Sequence, residues 1–164
     1  MKIVCAAMSA VLALGALNAC AAAPPQGHAV ANPAPVDCAR ASDALSALEH
    51  GSLAKLNAVV RHLTCFGGAR AEAAEETLGN LVAAHPKNVL SAFHANETPE
   101  VVIQDVAANP PSRYVDDSCG LLRELDRRLV AIQSVSEFAR ERDVAVGSIK
   151  QFQLQVRKHC AVAK

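Results

Sequence analysis

The sequence predicts an all-α protein: a compact bundle or short α-solenoid of seven or eight helices in antiparallel pairs, fastened by two disulfides. Three observations lead there. Beyond position 36, apolar residues recur at the three- and four-residue spacing of one helical face. Glycines, prolines and capping residues interrupt these runs every roughly 8 to 18 residues. Four cysteines, Cys38, Cys65, Cys119 and Cys160, stand at the ends of the runs.

The first helix is expected to begin at Asp37 as N-cap, to bury Ala41, Leu45 and Leu48, and to stop at Gly51. Ser52 is expected to cap a second helix carrying Leu53, Leu56, Val59, Val60 and Leu63, which ends at Cys65-Phe66-Gly67-Gly68. Two helices joined by His50-Gly51-Ser52 form an antiparallel hairpin, which brings Cys38 beside Cys65. Ala71, Ala74, Leu78, Leu81 and Val82 mark the next helix, up to His85-Pro86. Pro86 starts a short helix with Val89, Leu90 and Phe93, and Thr98-Pro99 starts another with Val102, Ile103 and Val106, broken at Asn109-Pro110-Pro111. Val101-Val102-Ile103 is apolar enough for a strand, but the flanking Thr-Pro-Glu favours helix.

Asp117 or Ser118 caps a helix striped with Leu122, Leu125, Leu129 and Ile132. Ser134-x-x-Glu137 reads as a capping box for a short helix through Phe138, leading at Asp143 into a last helix with Ile149, Phe152, Val156 and Cys160. Cys119 and Cys160 then sit at matching ends of packed antiparallel helices, which pairs them.

The N-terminus is organised differently. Met1-Lys2 is followed by an apolar run from Ile3 to Leu17 and by small residues at Ala19 and Ala21 to Ala23, the order of a secretory signal. A retained membrane span is the alternative, but the segment is alanine-rich, contains Asn18 and lacks flanking anchors. Residues 1–19 are therefore read as signal peptide, 20–36 as an N-terminal tether, and 37–164 as one helical domain. The tether, AAAPPQGHAVANPAPV, holds Pro24, Pro25, Pro33 and Pro35 and almost no charge. Such a stretch favours extended chain, up to roughly 50 Å long at about 3.1 Å per residue.

Leu17-Asn18-Ala19-Cys20 resembles the lipobox of bacterial lipoproteins, with an apolar residue three before the cysteine and a small one directly before it. Asn18 departs from the small or apolar residue usual there. The resemblance implies a thioether-linked diacylglycerol on Cys20 and, with Ala21 following, a place on the periplasmic face of the outer membrane. Two or more acyl chains give stable anchoring, because each buried methylene adds about 0.8 kcal/mol. The alternative is cleavage after Ala21-Ala22-Ala23, which discards Cys20 and yields a soluble periplasmic or secreted protein.

Composition excludes several roles. The chain has 16 basic and 16 acidic residues, and Lys2 is the only charge lost with the signal. A near-neutral body has no concentrated positive face for nucleic acid. One tyrosine, four phenylalanines and no tryptophan make a carbohydrate-stacking platform a poor fit. Four cysteines behind an export signal imply disulfides rather than zinc. There is no C-x-x-C and no H-E-x-x-H, only His62 one turn from Cys65 and His159 beside Cys160. No metal or cofactor is expected.

An enzyme is the third-ranked class, since no nucleophile elbow, phosphate loop or triad order is present. Glu75-Glu76 and Asp116-Asp117 are paired carboxylates, read as caps and dipole partners. His85 and His94 flank the Pro86 helix and could face one cleft, but are read as caps or surface residues. The runs Arg123-Glu124-x-Asp126-Arg127-Arg128 and Arg140-Glu141-Arg142-Asp143 interleave signs as a solvated face does. Arg113 and Tyr114, on a connection after two prolines, are the candidate partner surface, being residue types that interfaces favour. The section from Leu78 to Ile132, with LVAAHPKNVLSAF and RYVDD, resembles HEAT-like helical proteins of the bacterial envelope, which implies a scaffold and no catalytic residues. The functional expectation is an exported, lipid-anchored envelope protein that binds or scaffolds an unidentified envelope protein. The alternative is a periplasmic immunity or inhibitor protein against a toxin or hydrolase.

Overall fold

A computed structural model describes the backbone of residues 35–162 except residue 110, and the side chains of residues 38–160 with the same exception. The signal segment, Cys20 and most of the tether lie outside the described residues. Seven α-helices and three short 3-10 turns build a helical bundle, with no strand among the described residues.

Helix α1 spans Pro35–Glu49, two residues earlier than the cap expected at Asp37. Proline suits this first position because its missing N–H would have had no helical partner. Ala41, Ala44, Leu45 and Leu48 are buried. Gly51 ends the helix at φ +91°, a conformation that disfavours any side chain. Its N–H donates to the Leu48 carbonyl and the Ser52 N–H reaches the Ala47 carbonyl, a Schellman closure of the last turn. Ser52 thus serves the end of α1. Its hydroxyl does not cap the next helix, contrary to expectation.

The second helix is also less regular than its apolar spacing suggests. It divides into a 3-10 turn at Leu53–Lys55, α2 at Leu56–Arg61, and a second 3-10 turn at Leu63–Cys65. Leu56, Val59 and Val60 nevertheless meet the core as expected. Helices α3 (Ala69–Ala84), α4 (Pro86–Ala95) and α5 (Glu100–Ala108) follow with the predicted breaks and bury Ala74, Leu78, Val82, Val89, Leu90, Phe93, Ile103 and Val106.

Helix α6 (Ser118–Gln133) starts at Asp117, whose carboxylate accepts the Gly120 N–H at 2.7 Å. Its inner face is rotated from the leucine stripe. Leu121, Glu124, Leu125, Arg128 and Ile132 are buried, whereas Leu122 and Leu129 are half-buried. The charge run is therefore not uniformly solvated: Glu124 is 4 % and Arg128 0 % exposed, and Glu141 of the second run is 2 % exposed.

No helix forms at 134–138. Ser134 ends α6, donating its hydroxyl to the Ala131 carbonyl, and Glu137 pairs with Lys87 instead of closing a capping box. Val135 turns inward and Phe138 adopts φ +55°. Arg142 donates to the Val135 and Ser136 carbonyls, so this connection is held as an ordered loop. Helix α7 (Ala139–Val162) then begins four residues ahead of Asp143 and packs along α6 and α5.

Both expected disulfides are present. Cys38 joins Cys65 and Cys119 joins Cys160, with Cα separations of 5.1 and 4.9 Å. No helix of the described residues is long and apolar enough to cross a membrane.

Candidate functional site

The candidate surface at Arg113 and Tyr114 lies on a 3-10 turn, Ser112–Tyr114, between α5 and α6. Pro111 enters the turn at ψ 141° and the Val115 N–H closes it on Ser112. The Arg113 guanidinium carbon stands 4.8 Å from the centroid of the Tyr114 ring, within cation–π range. Val115 beside them is 75 % exposed. The ring is set against the first turn of α6 through Gly120. A methyl group there would collide with the Asp117 carboxylate and come within 2.9 Å of Tyr114 Cδ1. One glycine therefore admits both the helix cap and the tyrosine. The Cys119–Cys160 bridge lies one residue away, so α6 and α7 hold the base of this surface covalently.

Beneath it runs a polar cluster that the alternating charges of α6 did not disclose. Arg128 Nε donates to Glu124 Oε1 at 3.1 Å, and Nη1 donates to the carbonyls of Ala107 at 3.1 Å and Asn109 at 3.0 Å. A cation on the last carbonyls of α5 satisfies acceptors that the helix leaves open and complements its dipole. Arg127 adds two hydrogen bonds to Glu124. Burial pushes the Arg128 guanidinium down from its ordinary range, while Glu124 holds it charged. Gly79 on α3 makes the room: a Cβ there would lie 2.9 Å from Nη1 and 3.1 Å from the Val106 carbonyl. The available signals were Gly79 inside a helix and the Glu124/Arg128 spacing of four, but neither specifies burial.

The remaining candidates fall apart spatially. His85 borders a depression with Lys87 and Glu137, whereas His94 borders another with Phe138 and Glu141, so the two histidines do not face one cleft. His94 Nδ1 lies 3.4 Å from Glu141 Oε1, and Arg140 also reaches that oxygen. Hydrogen bonding from Lys87 holds the Glu137 carboxyl below the usual carboxylate range. Of the paired carboxylates, Asp117 is a cap, and Glu76 accepts from the Ser112 hydroxyl at 3.3 Å. Glu75 accepts from the Asn109 amide at 2.8 Å. Desolvation, followed by the neighbouring Asp105 charge, raises the Glu75 carboxyl above its ordinary value. Among the described residues no group of three or more His, Cys, Asp or Glu side chains is placed to hold a metal ion.

The chain matches no family model, no curated protein and no solved structure.

Proposed function

We propose that this protein is an exported bacterial envelope protein, lipid-anchored through Cys20 to the periplasmic face of the outer membrane, and that it acts as a protein-binding or scaffold module. The observation that carries the export is the pairing of all four cysteines of the helical domain into bridges, which persist in an oxidising compartment. The binding role is supported by Arg113, Tyr114 and Val115, presented together on a turn with a covalently fastened base. Pre-ordered aromatic and arginine side chains lose little freedom on association, which is what makes them effective anchors.

Mass spectrometry of the mature protein tests the anchor. An acylated amino-terminal Cys20 is expected, and an amino-terminal Pro24 without lipid overturns it. Crosslinking in envelopes tests the binding role. Several structural components captured by the wild type, and lost on replacing Arg113 and Tyr114 with alanine, are expected of a scaffold. A single effector held in equimolar amount instead selects the immunity or inhibitor reading, and capture unaffected by both replacements removes this surface from the account.

A further inference from the structure

A groove of about 380 Å3 runs between α3, α5 and α7, on residues that the surface at Tyr114 does not use. Its size lies at the lower end of the about 300 to 1,000 Å3 usual for ligand clefts. Gln104 of α5 and Gln151 and Gln155 of α7 line it, with Asn109 at one side. Carboxamides donate and accept at once, so a row of them matches the alternating N–H and C=O groups of an extended peptide. Phe152 supplies the one aromatic surface. The walls are tied in place: Asn109 holds the Glu75 carboxylate, and Ser148 donates to the Gln104 carbonyl at 3.1 Å.

The groove carries charge of one sign. Glu75 and Asp105 both line it, and no basic side chain does among the described residues. The two carboxylates act on each other unfavourably, which adds to desolvation in raising the Glu75 carboxyl. A cation set between them would offset the repulsion and supply the opposite charge that the groove lining lacks. An aliphatic stem would lie along Phe152, as the stems of lysine and arginine do on apolar surfaces.

We propose that this groove docks an extended segment of a partner protein, seating one arginine or lysine side chain between Glu75 and Asp105. The inference rests on the binding-module reading and specifies the partner's chemistry. It is tested on the full mature chain with both disulfides intact, labelled with 15N and titrated at low ionic strength with acetyl-Gly-Arg-Gly-amide. Acetyl-Gly-Gln-Gly-amide and acetyl-Gly-Glu-Gly-amide serve as controls.

The arginine peptide is expected to shift the side-chain amide signals of Gln104, Gln151 and Gln155 and to lower the titration midpoint of Glu75. The double variant Glu75→Gln/Asp105→Asn should weaken it at least about fivefold, as should about 0.5 M salt. The replacements keep the shape of both side chains, and an unchanged backbone spectrum is the check that the variant retains the fold. The proposal is overturned by the absence of shifts at millimolar peptide, by equal binding of the glutamine or glutamate peptide, or by a double variant that binds as well. Failure here with capture through Arg113 and Tyr114 retained removes the groove and spares the proposed function; the converse result does the opposite.

Discussion

The two disulfides span similar Cα separations, yet the segments they join are built differently. At the N-terminal end Cys38–Cys65 joins α1 to the 3-10 turn that follows the six-residue helix α2, and the buried residues of α1 and α2 are all apolar. At the other end Cys119–Cys160 joins two long helices, α6 and α7, between which Gln153 donates to Asp126 at 2.7 Å, while α6 turns the buried Arg128 toward α3 and α5. In the first pair the covalent bond supplements a small contact. In the second it adds to an interface that also carries a directional side-chain bond, on a helix anchored to α5 by a buried arginine. Cross-links of similar Cα separation thus sit in different settings, an apolar contact at one end and a partly polar one at the other.

Removing the central charge should sharpen this contrast most. Arg128→Ala leaves Glu124 with Arg127 alone, uncaps the α5 carbonyls and opens a cavity, and is expected to cost about 4 to 5 kcal/mol in urea unfolding. A loss under about 1 kcal/mol would mean that α6 is held to α5 by apolar packing alone. Next come the cross-links. With sequence separations of 41 and 27, the chain-entropy model assigns about 4 kcal/mol to Cys119–Cys160 and about 3.5 kcal/mol to Cys38–Cys65. The totals are close, so hydrogen exchange is the better discriminator. Serine replacement of Cys38 and Cys65 should speed exchange in α1 ahead of global unfolding, whereas replacement of Cys119 and Cys160 should lower protection throughout. The same pattern from both variants would abolish the distinction.

The smallest effect concerns Glu75. Because its folded-state carboxyl is raised, the native state takes up the proton first as pH falls, and stability declines as pH rises through that window. Glu75→Gln should therefore melt slightly higher than the parent at pH 7. That advantage should shrink through the raised folded-state value and vanish below about pH 4.5. A variant that melts lower at pH 7 would show that the Asn109 hydrogen bond outweighs desolvation.

Helices α3, α4 and α5 were legible because proline, glycine and a three-to-four spacing acted together, and the disulfides followed once the helices were oriented. The parts that differed did so for a common reason: tertiary partners outside the local sequence decided them. Ser134-x-x-Glu137 has the spacing of a capping box, but Lys87 on α4 takes the glutamate and Arg142 takes the loop carbonyls. Arg128 sits in an alternating charge run and is nevertheless enclosed, because Gly79 and the end of α5 provide a polar niche from two other helices. The Arg113–Tyr114 turn could be singled out by residue type. The role of Gly120 in seating the ring could not, since it depends on the distance across a helix start. The groove between α3, α5 and α7 draws on three segments whose adjacency no linear pattern specifies.

Cys38 and Cys160 stand near the two ends of the described chain, and that placement decides how the molecule would bear tension. Pull applied from the amino-terminal side reaches a sulfur bridge within α1 and crosses directly to Cys65; pull from the other side crosses from Cys160 to Cys119. Between Cys38 and Cys160, while both bridges are oxidised, only the roughly 50 residues from Cys65 to Cys119 can lengthen, about 170 Å of contour. The outer helices would be spared stretching, and α3, α4 and α5 would yield first.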